Sequence, residues 1–577
     1  MRGRCVALWV ALLAASAPAR AVVFVARVGD DAACGFRTSA LPNALQAAID
    51  TVPTTVPPGD LYVVRVARTG NYVGTGILVQ DRSLLIEGGF ATCASVAPDA
   101  TNTTIDATGA TVGPLRVRGT TEREAVTLFG LTLRGGSGTS GNGLLIANAN
   151  VTLDRVSATA NSALRGGGIE IVGSDLGALA RLIGATRIFG NTATQEGGGI
   201  SCERGARLEI DSTVAISSNE AFQGGGIYLN GCTGFANSGA FGIGGLFVNI
   251  GFNQAGFGGG ALYARSSLGP TRFTIGFDLG PEDPAPLLVS NEAVTSGGAI
   301  FASGADTEIV VADTLIDNNS AGSIGGGIVA NGGALVTVTR VRRVCPRGDR
   351  CSSISNNTAG NGGGAALAHF GGRLVIRGTY VEGNSADRGS AVSAQGTDGV
   401  IELRNSVVAG NRGGGSVLQV RNDSSDGAAR MVVDQTTIAR NLDATRVIDV
   451  NTLGTVRVSH SIVNEVATMP VFDLPAGYVP ETDCSMLHEI ASAGSVDPLT
   501  VAFPIPGFLD ASGGNYRLRP TAEATDRCPA AFDSDPIDFE RDPRPLDAPL
   551  PDLAGRYDVG FDEYNERFFV DGFETPD

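Results

Sequence analysis

The sequence predicts an all-β protein that folds as a parallel β-helix, and three observations support this class. A phrase of the form Asn-x-Ala, followed by a run of glycines, returns every 27 to 38 residues, a period typical of solenoids. The residue three places before each Asn is apolar, and in several copies apolar residues also alternate further upstream. No helical periodicity lies inside a repeat. The clearest copies place the repeated Asn at Asn161, Asn191, Asn219, Asn253, Asn291, Asn319, Asn357 and Asn384, with weaker copies at Asn411 and Asn441.

Each repeat is predicted to contain three short strands. In one copy Ile309 and Val311 mark the first strand and Ile316 marks the second. The residues after the glycines supply the third, as in Gly226-Ile227-Tyr228-Leu229. Because such alternation leaves one face of every strand apolar, each coil would lay its apolar residues on those of the coil below.

The repeated Asn and Gly fit the corners between strands, because both tolerate the left-handed backbone conformation. Stacked Asn side chains can also hydrogen-bond along the axis and satisfy backbone groups at the corners. The phrase Asn191-Thr-Ala does not match the Asn-x-Ser/Thr glycan acceptor. We therefore expect the repeated Asn to be structural, with neither a catalytic nor a glycan-acceptor role.

Two of these phrases resemble those of a known family. Gly297-Gly-Ala-Ile300 and the Ile-x-x-Asn phrase of Ile216 and Asn219 resemble the repeats of polymorphic outer membrane proteins. The resemblance covers about 230 residues, from Asn161 to Ser390. It implies that the solenoid is a right-handed parallel β-helix, and it says little about function.

Residues 1–21 are predicted to be a secretory signal peptide. Arg2 and Arg4 precede an apolar run that is too short to span a membrane, and Ala19 and Ala21 suit cleavage. No later segment has the continuous apolar length of a transmembrane helix. We therefore expect an exported, soluble mature chain without a transmembrane segment.

Residues 22–120 are predicted to form the N-terminal cap and the first coils. Leu41, Leu45, Ala48 and Ile49 would lie on one face of a short helix that covers the open end of the first coil. The strands after this helix are similar to the start of pectate-lyase-like β-helices. Residues 121–465 would then form the repeat body.

Residues 466–577 are predicted to be a closing region. Gly514-Asn-Tyr-Arg-Leu518 and Asp558-Val-Gly-Phe-Asp-Glu-Tyr564 resemble the end of bacterial secreted β-helix proteins of the choice-of-anchor class. The stretch from Phe568 to Glu574 resembles a short sorting tail of exported proteins from Gram-negative bacteria. These resemblances imply a protein that is secreted or held at the cell surface of a Gram-negative bacterium, in association with the outer membrane.

Cysteine usage agrees with export. Eight cysteines remain when Cys5 of the signal peptide is left out, and an even number in an exported chain indicates disulfides, although 105 connectivities are possible. Stacking of successive coils would bring two of them together, and two others bracket an insertion. Zinc is not favoured, because no C-x-x-C spacing with a neighbouring His occurs. The expected pairs are Cys34 with Cys93, Cys202 with Cys232, Cys345 with Cys351 and Cys484 with Cys528.

The net charge of −17 and the pI near 4.7 argue against nucleic acid and anionic membranes as partners. Acidity of this kind most often reflects a solvated exterior. No EF-hand loop and no calcium-binding glycine-aspartate repeat is present in the sequence. We therefore predict neither a metal site nor a cofactor.

One charged stripe is a candidate binding site. Arg377, Arg404 and Asp434 each stand seven places before a repeated Asn, and Glu402 lies on the same outward face. The stripe could hold an acidic sugar, but a solvated ladder of surface charges is the favoured interpretation. The Asn-Thr-Asp and Gly-His-Gly phrases of polygalacturonases are absent, and none of the three His residues has a Ser or Cys partner at a recognisable spacing. No catalytic residue is predicted.

Two functional classes are compatible with the sequence. The first is an exported, non-enzymatic β-helix that serves adhesion or cell-surface interaction, with a surface polysaccharide or another cell-surface component as partner. The second is a polysaccharide lyase or glycoside hydrolase that acts on an acidic polysaccharide. The absence of family catalytic phrases favours the first class.

Overall fold

The computed structural model of the chain is a right-handed parallel β-helix in which nearly every element is a strand. Residues 1–20 of the predicted signal peptide, Leu41, Cys34 and the sorting-like tail lie outside the described residues. The structure describes residues 21–25, 44–55, 61–68, 72–73, 76–120, 124–174, 176–211, 213–237, 250–276, 279–280, 283–343, 345, 351–422, 427–451, 453–502, 506–519, 521–529, 536–544 and 557–562.

Each coil of the body runs through sheets A, B, D and C in that order, and each strand pairs with its counterpart one coil away. Within the described residues sheet A has sixteen strands, which makes a rod of about 70 Å at about 4.8 Å per coil. The strands of sheet A are Ala21–Val25, Tyr62–Ala67, Leu84–Phe90, Ala125–Phe129, Asn150–Asp154, Leu179–Ile183, Arg207–Ile210, Thr233–Ala236, Thr271–Ile275, Thr307–Ala312, Leu335–Thr339, Arg373–Arg377, Val400–Arg404, Arg430–Asp434, Thr455–Ser459 and Glu481–Asp483.

Sheets B and C complete the wall of the rod. The strands of sheet B are Tyr72–Val73, Thr103–Asp106, Leu131–Arg134, Ser157–Thr159, Arg187–Phe189, Ala215–Ser217, Ile250–Gly251, Leu287–Val289, Leu315–Asp317, Ser353–Ser355, Tyr380–Glu382, Val407–Ala409, Thr437–Ala439, Ile462–Asn464, Met486–Leu487 and Val501–Ala502. Those of sheet C are Ile77–Gln80, Leu115–Arg118, Leu144–Ala147, Ile169–Val172, Ile200–Glu203, Ile227–Asn230, Leu262–Arg265, Ile300–Ser303, Ile328–Asn331, Ala366–His369, Val392–Gln395, Ser416–Arg421, Arg446–Val450 and Phe472–Asp473. Strand pairing in sheets B and C therefore continues beyond Val466, where the sequence repeat ends.

Sheet D is a fourth strand position that the three-strand prediction did not include. It occupies the stretch between the repeated Asn and the glycines, and the Ala of Asn-x-Ala is its buried residue. A small side chain that alternates with polar ones gives little strand signal, so this stretch was interpreted as part of a turn. The strands of sheet D are Ser162–Arg165, Thr192–Glu196, Glu220–Gln223, Gln254–Gly258, Glu292–Ala293, Ser320–Ala321 and Thr358–Ala359.

The interior is a single apolar column, as predicted. Ile309 and Val311 of sheet A are fully buried, and so is Ile316 of sheet B. Apolar side chains stacked coil on coil exclude water and supply the main driving force for folding. The buried residues three places before each repeated Asn are Ala158, Ile188, Ile216, Ile250, Leu288, Ile316, Ile354, Val381, Val408 and Ile438.

The repeated Asn residues form a hydrogen-bonded ladder along the corner between sheets B and D. At its centre Asn291 donates from Nδ2 to Asn319 Oδ1 at 2.9 Å, and its backbone N–H donates to the same oxygen at 2.9 Å. Nδ2 also donates to the carbonyl of Ile250 at 3.0 Å. The same pattern runs from Asn161 to Asn441, where Nδ2 donates to Glu465 Oε1 at 2.6 Å. These bonds satisfy buried corner groups that the strand ladders do not reach.

The ladder Asn residues do not themselves adopt the left-handed conformation, contrary to our expectation. The positive φ falls one residue earlier, as at Ser290 with 53° and Phe252 with 56°. The preceding residue bends the chain at the corner, which lets each Asn side chain point inward and stack. One glycine in most of the runs does require positive φ, as at Gly297 with 64°, where a Cβ would approach the carbonyl oxygen of Ile300 to 2.4 Å.

The predicted N-terminal capping helix is confirmed and spans Ala44–Thr51. Ala44, Leu45, Ala48 and Ile49 are buried against the first coil. Gln46 also pairs with the edge strand of sheet C, because its Nε2 donates to the carbonyl of Leu78 at 2.9 Å and its Oε1 accepts from the Leu78 N–H at 2.8 Å. The helix thus covers both the apolar end and the backbone edge.

The closing region folds back along the outer face of sheet B. It contains the 3₁₀ turn Ala491–Ala493 and an antiparallel hairpin of strands Phe508–Asp510 and Asn515–Leu518. A second apolar cluster joins sheet B to this region through Tyr380, Val407, Ala409, Ala439, Ile462, Phe508, Tyr516, Leu518, Phe539, Val559 and Phe561. The outer face of sheet B is therefore covered over its last coils.

Three of the expected cysteine pairs are present as disulfides. They join Cys202 to Cys232 between neighbouring coils, Cys345 to Cys351 across an insertion, and Cys484 to Cys528 at the closing region. Cys93 is also disulfide-bonded, while Cys34, its expected partner, lies outside the described residues.

Candidate functional site

The predicted charged stripe lies on the outer face of sheet A. Arg377 is in register with Arg404, and Arg404 is in register with Asp434. Glu402 accepts hydrogen bonds from Arg373 Nε and from Arg404 Nε, each at 3.1 Å, and Arg404 Nη1 lies 3.4 Å from Asp434 Oδ2. The charges therefore satisfy one another in a network along the rod. Whether this network binds a ligand stays a prediction.

Asp434 is not the solvated charge that we expected, because only 4% of this residue is exposed. Ser459 Oγ donates to Asp434 Oδ1 at 2.8 Å, and His460 Nδ1 lies 3.6 Å from the same oxygen. Both partners come from the next coil, so the carboxylate is enclosed between successive coils. Asp434 is therefore a buried member of the stripe and not a solvated one.

A group of buried carboxylates lies on the outer side of sheet C, where the strands of sheet D fold against it. Glu170, Glu196 and Glu203 are all buried. Arg165 Nε donates to Glu196 Oε2 at 2.8 Å, and Ser201 Oγ donates to Glu203 Oε1 at 3.2 Å. Ser140 forms a side-chain hydrogen bond with the third carboxyl group, that of Glu170.

Glu170 is the most perturbed of these acids. Burial raises the pKa of Glu170 to about 7, and the neighbouring carboxylate of Glu203 adds to this effect. Burial likewise raises the pKa of Glu203, while the hydrogen bond to Glu196 raises the pKa of Arg165. In the described part of the chain no group hydrogen-bonds to Glu170 Oε2. Glu170 is therefore a carboxyl group that titrates close to neutral pH.

An aromatic column continues from the carboxylates along the same outer face. Tyr228 stacks on Tyr263 with ring centroids 5.7 Å apart, and Tyr263 stacks on Phe301 at 5.0 Å. Phe257 meets Phe301 edge-on from the flank. The column continues through Val329 and Leu367, and all five of its members are buried. Sheets C and D therefore enclose a second dry strip outside the main core.

The outward face of sheet D is exposed along most of its length, with Ser320 and Ser385 half-buried. Its register-matched side chains are polar throughout, and they carry hydroxyl, carboxyl, amide and guanidinium groups. Beside this column Phe222 is 53% exposed and Val294 is 65% exposed. The column consists of Ser162, Thr192, Glu220, Gln254, Glu292, Ser320, Thr358, Ser385 and Arg412.

A further carboxylate group lies in the closing region. Asp538, Glu540 and Asp542 are buried, and each offers an oxygen within 4.8 Å of the others. Asp562 lies beside them, and burial together with the charges of Glu540 and Asp538 raises the pKa of Asp562 well above its usual range. Among the described residues, this group offers the carboxylate oxygens that a hard metal ion prefers as ligands.

Neither of the two buried carboxylate groups was predicted from the sequence. Acids at every second position from Asp538 to Asp542 are a visible signal, since such spacing brings oxygens together in a tight loop. Glu170 has a weaker signal: it occupies an outward position of sheet C where other coils have Tyr or Phe. Only the register between coils shows that this position is covered.

No family model matches the chain, and no curated protein matches it. Among the described residues no helix is both long enough and apolar enough to cross a membrane.

Proposed function

We propose that this protein is an exported, non-enzymatic β-helix of the Gram-negative cell surface whose sheet D face binds a surface polysaccharide. The observation that carries the proposal is the exposed column of polar side chains on sheet D, which repeats once per coil along the body. Regular spacing of about 4.8 Å presents donors and acceptors in a row, which suits a linear polymer of hydroxylated units.

The outer faces of sheets A, B and C are less available to a polysaccharide than that of sheet D. On sheet C the outward strip is filled by the aromatic column, and the last coils of sheet B are covered by the closing region. On sheet A the charges are engaged in ion pairs such as Arg181 with Glu209. Sheet D combines free polar groups with Phe222, whose exposed ring offers a stacking surface for a sugar.

Export and surface location rest on the chemistry of the chain and on its resemblances. Disulfides such as Cys202 with Cys232 form and persist in oxidising compartments outside the cytosol. The resemblance to polymorphic outer membrane protein repeats and to choice-of-anchor β-helices points to the same location. The anionic surface further disfavours nucleic acid as a partner.

Binding of residues 22–577 to immobilised acidic and neutral polysaccharides tests the proposal. We expect retention of at least one polymer, and we expect Phe222→Ala to weaken it at least tenfold because the stacking surface is lost. Glu308→Gln on sheet A is the matched control, since Glu308 is exposed on a different face and should leave binding unchanged. Retention of no polymer, or equal effects of both substitutions, would refute the assignment to sheet D.

A second candidate, a glycoside hydrolase, is favoured by one observation. A general acid must be protonated near the working pH, and Glu170 has a pKa of about 7 with Glu203 beside it. The same polysaccharide panel decides this candidate when new reducing ends and unsaturated products are measured. Turnover that Glu170→Gln abolishes would establish the enzyme and replace the binding proposal.

A further inference from the structure

The joint between the closing region and the rod holds a dense group of acids. Asp538, Glu540 and Asp542 are each at least nine-tenths buried, and their oxygens lie within 4.8 Å of one another. Like charges at this separation repel strongly away from water. Arginine side chains offset part of this repulsion, and a bound cation would offset more of it.

Asp562 provides an independent observation. It is 4% exposed, and within the described residues no group hydrogen-bonds to its Oδ1. Its segment runs alongside the acidic loop, because the Phe539 N–H donates to the carbonyl of Phe561 at 3.0 Å. A buried oxygen without a donor costs free energy, and a cation in the group would remove that cost.

The loop that carries the acids is fixed by its own hydrogen bonds. Asp542 donates its backbone N–H to Asp538 Oδ1 at 2.8 Å, and the Asp538 N–H donates to the Asp542 carbonyl at 2.9 Å. The carboxylates at alternate positions are thus held together before any ligand arrives. An all-oxygen set selects hard cations, and calcium tolerates irregular geometry where magnesium demands an octahedron.

Arginine side chains connect this group to the rod. Arg517 forms an ion pair with Glu540, and Arg343 of the rod forms one with Asp542. Arg544 donates to Asn405 Oδ1 at 3.1 Å and to the carbonyl of Gly560 at 3.2 Å. These cations offset part of the negative charge, and they place the group where movement of the closing region would disrupt it.

We propose that Asp538, Glu540, Asp542 and Asp562 bind one calcium ion that fastens the closing region to the β-helix. The ion joins the loop at residues 536–544 to the segment at residues 557–562. Through the Arg343 ion pair it also stabilises the contact with the rod. This site is independent of polysaccharide binding on sheet D.

Calorimetric titration of residues 22–577 with calcium chloride, after removal of divalent ions with EDTA, tests the site. We expect one ion per chain, and at least a tenfold loss of affinity in Asp562→Asn. Glu523→Gln is the matched control, because Glu523 is an exposed acid of the same region. Asp538→Asn is a second variant that keeps the Oδ1 acceptor for the Asp542 N–H.

Hydrogen exchange of the Phe539 and Asp542 amides gives a readout on the joint itself. At a calcium concentration near the dissociation constant of the unmodified chain, calcium should slow both amides there and slow them much less in Asp562→Asn. An unmodified chain that gives no calcium-dependent heat and no added protection overturns the proposal. Full calcium affinity in both Asp562→Asn and Asp538→Asn also overturns it, and magnesium binding of equal strength overturns the choice of calcium.

Discussion

Replacement of Asn291 by Ala would remove one step from the middle of the Asn ladder. Oδ1 of Asn291 accepts two hydrogen bonds from Asn253, one from its backbone N–H at 3.1 Å and one from its side-chain Nδ2 at 3.0 Å. Asn291→Ala therefore leaves two buried donors of Asn253 without this acceptor. An unpaired buried donor costs about 1–3 kcal/mol. We therefore expect the free energy of unfolding to fall by about 2–6 kcal/mol.

Urea denaturation followed by circular dichroism measures this loss, and exchange of the Asn253 amide localises it. Gln254→Ala is the matched control, because Gln254 is an exposed residue of the neighbouring coil and should change stability by less than about 0.5 kcal/mol. Since the coils of a solenoid contact only their neighbours, the increased exchange should be confined to the coils around Asn291. Equal stability of Asn291→Ala and Gln254→Ala would show that the ladder contributes nothing and refute the reasoning.

Two further predictions concern the end of the ladder and a disulfide. The folded pKa of Glu465 is raised by burial to about 7, above its ordinary value of 4.5, so the folded state holds an extra proton in this range and stability should fall as pH rises from 4.5 to 7. Glu465→Gln keeps an acceptor for Asn441 and should flatten that slope in urea titrations, whereas an unchanged slope would contradict the assignment. Joint replacement of Cys202 and Cys232 by Ser should cost about 3–4 kcal/mol, because their disulfide spans 30 residues, and an unaltered urea midpoint would argue against it.

The sequence predicts the architecture well because the spacing of the repeats equals the length of one coil of the β-helix. Each coil must place an apolar residue inward at the same point, so Ile216 and Ile316 mark sheet B without any coordinates. The amphipathic pattern around Leu45 and Ile49 likewise identifies the capping helix. Cys202 and Cys232 could be paired because the coil register brings them together.

The buried charges could not be predicted in the same way. Asp434 has the outward register of a surface residue, and its enclosure depends on side chains from the next coil and on the rotamers that these adopt. Burial of Glu170 depends on how closely sheet D approaches sheet C, which the periodicity does not encode. Asp562 and Asp538 are separated along the chain, and only the folding of the closing region brings them together.

The Asn ladder also gives the rod a direction. In the bonds between Asn side chains, every amide donates toward the C-terminal end and accepts from the N-terminal side, so these bonds all point the same way and reinforce one another along the axis. The donor end meets the carboxylate of Glu465, much as an acidic residue meets the N-terminus of a helix. Because every internal Asn makes the same bonds above and below, whole coils can be gained or lost without altering either terminus. The length of this protein is thus a variable separate from the chemistry at its ends.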